Sequence, residues 1–173
     1  MKQHTTALAA AILILLSIWT AGCTNSSSAT DQREKVKVER VVDGDTFDVV
    51  LDGKKQKVRL IGIDTPETKK PNTPVMYYGK EAADYSKKRL ENKYVALEWD
   101  VERKDQYDRL LAYVWIDDEL YNSTLLREGY ARLATFPPNV KYVDDFKQDQ
   151  AEARKQGKGL WKNYDAAFDT KKK

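Results

Sequence analysis

Three observations predict an α+β fold that is mainly β. Residues 35–63 read as three alternating runs separated by tight-turn residues, a helical stretch follows, and two further alternating runs precede two more helices. Five short strands in that order, with a helix between the third and fourth, suit an OB-fold: a five-stranded barrel, here with three helices. Such a barrel can bind oligonucleotides on one face, but the fold alone says nothing about chemistry.

The chain opens Met1-Lys2-Gln3-His4 and then runs apolar from Ala7 to Trp19. That run is short for a bilayer span and ends in small residues, so residues 1–22 are expected to be an export signal. Cys23 follows Ala21-Gly22 directly, as in a bacterial lipobox, although Thr20 stands where Leu is usual. Cys23 is therefore expected to be lipidated and to anchor the protein on the outer side of the cell membrane. Cleavage near Ala21 with secretion is the alternative. Residues 23–34, rich in Ser and Thr, are expected to form a flexible tether.

Residues 35–163 carry the expected domain, small enough for one core. Residues 35–42 alternate Lys and Val, a half-buried strand. Asp43-Gly44-Asp45-Thr46 is a turn in which Gly44 could take a positive φ. Residues 47–51 are the second strand, Asp52-Gly53 signals a hairpin, and residues 54–63 return as the third. Residues 69–76 form a polar, Pro-containing loop. Residues 79–92 are helical, with Lys87, Lys88 and Arg89 placed to complement the helix C-terminus. Residues 93–100 and 109–116 are the fourth and fifth strands. Residues 121–128 make a short helix ended by Gly129, and residues 142–156 a longer one ended by Gly157. Residues 164–173 are expected to be a disordered basic tail.

Composition excludes several chemistries. The chain carries 30 Lys and Arg against 27 Asp and Glu, a net charge of +3, which permits an anionic partner without demanding one. The single His is His4 and the single Cys is Cys23, so the domain itself has neither residue. It can hold no His general base, no Cys nucleophile, no zinc site of the usual kind and no disulfide. Any catalysis must come from carboxylates, Lys, Arg, Tyr and hard-metal chemistry.

One stretch supplies those groups together: Val58-Arg59-Leu60-Ile61-Gly62-Ile63-Asp64-Thr65-Pro66-Glu67-Thr68. Pro66 cannot donate to a ladder, so the strand must stop there with acids at its mouth. The meander brings Asp45, at the start of the second strand, near Asp64, at the end of the third. Acids beside Arg on a rigid strand end suit a metal and a phosphate; a solvated turn with a surface Arg is the plain alternative.

The motifs Asp43-Gly44-Asp45-Thr46, Arg59-Leu60, Asp64 to Lys69, Tyr78 to Ala82, Asp105 to Tyr113 and Asn122 to Gly129, in that order, resemble the staphylococcal nuclease family over nearly the whole folded part. The resemblance implies a Ca²⁺-dependent phosphodiesterase that acts on DNA and RNA and leaves 3′-phosphates. It implies that Asp45, Asp64 and the carbonyl of Thr65 bind calcium, that Glu67 is the general base, and that Arg59 and Arg109 contact the scissile phosphate. Asp43 is either a turn residue or a neighbour to the ion. Tyr107, Tyr78 and Phe136 are the expected base-stacking aromatics.

Two positions depart from the family pattern. Gln106 stands where Lys is frequent and Asp108 where Gly is frequent, and an added acid beside Arg109 would lower affinity for nucleic acid. A non-catalytic, nucleic-acid-binding OB-fold lipoprotein is the rival reading, and intact Asp45, Asp64, Glu67, Arg59 and Arg109 speak against it. A monomer is expected.

Overall fold

The computed structural model describes residues 33–68 and 75–168. The expected export segment, Cys23, nearly all of the tether and residues 69–74 lie outside the described residues. Strands β1 (Glu34–Val41), β2 (Thr46–Leu51) and β3 (Lys54–Leu60) form the meander. Alternation sets their faces: Val36, Val38 and Val41 of β1 are buried while Lys35 and Lys37 are exposed. Two residues, Asp52 and Gly53, join β2 to β3 with φ of 51° and 71°, as a two-residue type I′ hairpin requires.

The barrel closes through two devices. First, the register of β1 shifts between Val38 and Arg40. Such a bulge bends a strand, and β1 accordingly pairs with β5 (Tyr94–Glu98) through residues 34–37 and with β2 through Val38, Arg40 and Val41. Second, β6 (Leu110–Ile116) pairs antiparallel with β5 and parallel with β3, where Val58 faces Leu110 and Leu60 faces Ala112. The ring β3-β2-β1-β5-β6-β3 is the five-stranded barrel expected from the sequence, with the short β7 (Glu119–Leu120) hairpinned onto β6. Inside it, Val38, Phe47, Val49, Val58 and Leu97 are fully buried.

The third strand ends earlier than its residue pattern implies. β3 stops at Leu60, and Gly62 turns the chain at φ 78°. Ile63 and Asp64 then form β4 (Ile63–Asp64), which pairs antiparallel with β8 (Arg132–Leu133) in a separate ribbon. A Cβ at Gly62 would lie 2.7 Å from the ring of Phe146, so both conformation and space demand glycine. Buried Asn122 fastens the same place: its Oδ1 accepts from Val114 N–H at 2.9 Å and its Nδ2 donates to the carbonyl of Ile61 at 2.9 Å.

The helices are α1 (Gly79–Leu90), α2 (Tyr121–Arg127), α3 (Val143–Lys155) and α4 (Tyr164–Phe168), with a 3₁₀ turn over Gly159–Lys162. Ala82, Ser86 and Leu90 give α1 a buried face at four-residue spacing. Tyr121, Leu125 and Leu126 of α2 and Phe146 of α3 join the barrel core in one cluster. α1, α2 and α3 are the three helices expected from the sequence; α4 adds a short fourth, so residues 164–168 of the expected disordered tail are folded, while residues 169–173 lie outside the described residues. Tyr164 stacks on Trp161 with ring centres 4.8 Å apart, and Ala167 is fully buried. Apolar residues in that segment therefore find a surface to cover, and the turn folds.

Candidate active site

The 43–46 turn holds the first acids. Val42 and Asp43 both donate their N–H to the carbonyl of Thr46, and Gly44 O accepts from Ser86 Oγ at 2.6 Å, which ties the turn to α1. The need for glycine at position 44 is steric rather than conformational. Gly44 is not among the glycines at positive φ, but a Cβ there would lie 2.8 Å from the side chain of Thr65. That close approach lets Asp45 and Thr65 meet. Asp45 Oδ2 accepts from the Thr65 N–H at 2.9 Å and from Thr65 Oγ1 at 3.0 Å, and its Oδ1 accepts from Thr46 Oγ1 at 2.9 Å.

Asp45 is buried, and burial alone would raise its pKa. The Arg59 guanidinium and the hydrogen bonds from Thr65 and Thr46 outweigh burial and hold the carboxyl below the usual range. Asp43 goes the other way. Burial, then the charge of Asp45 and a hydrogen bond to its side chain, push it up to about 7, and its Oδ1 accepts the Asp45 N–H at 3.2 Å.

Arg59 reaches from β3 to both acids. It forms an ion pair with Asp45 through Nη1 and donates to Asp64 Oδ1 from Nη2 at 3.1 Å. Nη1 is buried against the Asp45 carboxylate; burial lowers the pKa of the guanidinium, but Asp45 together with Asp64 outweighs it and raises that pKa. The other oxygen of Asp64 belongs to Arg132, whose Nε and Nη2 donate to Oδ2 at 3.1 and 2.9 Å. Arg132 carries no motif in the sequence. It lies 68 residues from Asp64 and is brought opposite it by the β4–β8 pairing. Glu67 follows Pro66 at the same strand end, half-buried, and its Oε1 accepts from the Thr68 N–H at 2.9 Å.

Arg59 also lines an open cavity of about 400 Å³ that it shares with Arg109, Gln106, Tyr107, Phe136 and Asn139. Arg109 is set by Asp105, whose Oδ2 accepts from Nε at 2.6 Å and whose Oδ1 accepts the Arg109 and Tyr107 N–H groups. Burial raises the pKa of Asp105, but the Arg109 N–H and guanidinium outweigh it and keep the carboxyl low, hence charged. No described acceptor engages Nη1 or Nη2 of Arg109, whose guanidinium lies 5.4 Å from the Tyr107 ring centre. Among the described ion pairs, Asp108 is paired with Lys104, at 2.6 Å, and Arg109 with Asp105. Asp108 turns at φ 60°, a conformation glycine adopts freely.

The structure thus brings Asp45, Thr65, Asp64 and Arg59 together, and sets Arg109, Tyr107 and Phe136 around the adjoining cavity. Tyr107 and Phe136 are 71% and 73% exposed, free for a further ring. Tyr78 does not line the cavity; it stacks on Tyr130 with ring centres 5.6 Å apart. Among the described residues, no group of three or more His, Cys, Asp or Glu side chains is gathered as a metal cage.

Comparison with known proteins points to one family. A family model described as "Staphylococcal nuclease homologue" matches residues 57–163. A thermonuclease of Staphylococcus hyicus is 47% identical over 169 residues, covering 94% of this chain and all of its own length. A thermonuclease of Staphylococcus intermedius is 48% identical over 166 residues, covering 93% of this chain and 99% of its own. An endonuclease of Bacillus subtilis (strain 168) is 44% identical over 128 residues, 73% of this chain and 61% of its own length.

Proposed function

This chain belongs to the staphylococcal nuclease family and is a nuclease, a hydrolase of nucleic acid, and we propose that it is a Ca²⁺-dependent endonuclease cutting DNA and RNA to leave 3′-phosphate ends. The observation that supports this reading most is the position of Arg59. It is shared by two carboxylates on one side and faces a cavity with a second arginine on the other.

The donors at the strand mouth suit a hard divalent ion. Asp45, Asp64 and the main-chain carbonyl of Thr65 offer only oxygen, and a cationic guanidinium already lies between the two carboxylates. Two carboxylates are fewer than a closed cage holds, which leaves room for water and phosphate oxygens in the remaining positions. Calcium bound there would supply positive charge to a phosphoryl oxygen and orient a water.

The chain's own residues do the rest. Arg59, held between Asp45 and Asp64 at the edge of the cavity, contributes positive charge toward a phosphate bound there. Arg109 keeps Nη1 and Nη2 for the same phosphate while Asp105 fixes Nε. Two guanidiniums present paired N–H groups to a phosphate, as lysines cannot, and they neutralise charge as it grows in the transition state. Glu67 positions the attacking water and takes its proton, a role left to a carboxylate because the domain has no His. Tyr107 and Phe136 offer stacking faces for bases, which tolerates any sequence.

The protein is proposed to be exported, to be held on the outer membrane face through a lipid on Cys23, and to act as a monomer. Among the described residues no helix is long and apolar enough to cross a membrane.

The test is incubation of supercoiled plasmid and of a structured RNA with the protein, in Ca²⁺ and in chelator, followed by end-group analysis. Internal cleavage of both in Ca²⁺ alone, with 3′-phosphate ends, is the expected result. Cleavage that persists in chelator would remove the calcium assignment. Binding without cleavage in Ca²⁺ would favour the binding-module reading.

A further inference from the structure

Asp64 is gripped from behind by a device that the proposed reaction does not use. β8 sets Arg132 opposite Asp64 in register, and both donated N–H groups go to one oxygen, Oδ2. Oδ1 is thereby left facing Arg59 and, beyond it, Asp45. Arg132 is in turn covered by α4. Its guanidinium lies 3.8 Å from the centre of the Phe168 ring, and Nη1 reaches the Tyr164 hydroxyl at 3.4 Å. Tyr164 rests on Trp161, and Ala167 is fully buried beneath the turn. A flat guanidinium stacked on a ring, with two N–H groups converging on one carboxylate oxygen, has little freedom left.

We propose that Arg132, clamped by Phe168 and Tyr164 of α4, is a positioning residue that fixes which oxygen of Asp64 is offered to the divalent ion. The inference rests on the calcium reading of the site. Without the clamp, Asp64 can rotate about its χ2 and offer either oxygen, and part of the ion's binding energy goes into ordering it. Groups that orient a ligand in this way typically change metal affinity by ~10–100-fold when removed.

Arg132 has a second, opposite effect, which makes the test decisive. It is a cation beside a cation site, so on charge alone its removal should tighten Ca²⁺ binding. Positioning and charge therefore predict opposite signs for Arg132→Gln. The experiment uses the full chain. Ca²⁺ affinity is measured by calorimetry with a bound nucleotide, and the number of waters on Tb³⁺, used as a luminescent stand-in, is measured from its lifetimes in H₂O and D₂O.

Arg132→Gln is expected to weaken Ca²⁺ binding by ~10-fold and to add water to the bound ion, with a cooperative melt retained. Phe168→Ala keeps both charges and loosens only the clamp, so it should weaken binding in the same direction by a smaller factor. Tighter or unchanged Ca²⁺ binding in Arg132→Gln, or no change of affinity and hydration in Phe168→Ala, would overturn the positioning role while leaving the calcium reading intact. Wild-type protein that takes up no Ca²⁺ with nucleotide present would overturn that reading and this inference together.

Discussion

Asp43→Asn should stabilise the metal-free protein at neutral pH, and the effect should vanish in mild acid. In the native state Asp43 sits half-buried in the 43–46 turn, and burial and the charge of Asp45 lift its pKa from 3.8 to about 7. The folded value lies above the unfolded one, so the native state holds an extra proton between the two. The stability this group contributes is complete below about pH 4 and is lost as pH rises through about 7. Each pH unit across that interval costs up to ~1.4 kcal/mol, which sets a ceiling of roughly 4 kcal/mol. Solvent screening at the partly exposed carboxyl reduces this to about 2 kcal/mol. Urea unfolding in chelator, from pH 4.5 to 8, measures the wild-type decline. Asn cannot ionise, so the variant should hold its stability across the same range. The other shifted acids, Asp45, Glu98, Asp105 and Glu119, have lowered pKa values. They act below about pH 5 with the opposite sign and leave the range from pH 5 to 8 clear. Parallel wild-type and Asp43→Asn curves between pH 5 and 8 would refute the reasoning.

Glu67→Gln keeps shape and one acceptor but removes the base, so turnover should fall by ~10²–10⁴-fold while nucleotide binding by calorimetry is kept. Gly62→Ala should cost roughly 2–4 kcal/mol in urea unfolding, because it forces a left-handed residue and drives a methyl into Phe146. Arg109→Lys keeps the charge but loses the paired geometry set by Asp105, so kcat should drop by at least ~10-fold without loss of melting temperature. Cys23→Ala should move the protein from the membrane fraction to the medium; a variant that stays with the membrane sinks the lipid anchor.

Most of the barrel was legible because its signals are local. Val alternating with Lys in residues 35–42 shows which face of β1 is buried, and Asp52-Gly53 determines the hairpin and with it the β2–β3 register. The break at Gly62 was not legible, because its cause lies in another element. The ring of Phe146, on α3, leaves no room for a Cβ at Gly62, Asn122 of α2 holds the carbonyl of Ile61, and β4 is defined by its pairing with β8. The α4 turn escaped for the same reason. In sequence, Tyr164 to Phe168 is a short segment before a run of lysines; in space it meets Trp161 and Arg132.

The site divides along the same line. Residue types single out Arg59, Asp64 and Glu67 at a strand end, and Asp45 in the preceding turn, as candidates, with a solvated turn as the alternative that the stretch alone leaves open. Partners are a different matter. The Arg59–Asp64 pair spans five residues and lies within one motif, whereas the Arg132–Asp64 pair spans 68. Asp108, which stands next to Arg109 in sequence, binds Lys104, while Asp105, four residues away, takes the guanidinium. Adjacency in sequence therefore misjudges the charge around each arginine in both directions. It adds an acid at Arg109 that faces elsewhere, and it omits at Asp64 a cation that lies within hydrogen-bond reach. The net field at the proposed cation site depends on these pairs rather than on the count of acids, so it is a property of the fold. The proposed ligands stand in two short motifs of the sequence, but the charges around them depend on which distant strand lies opposite.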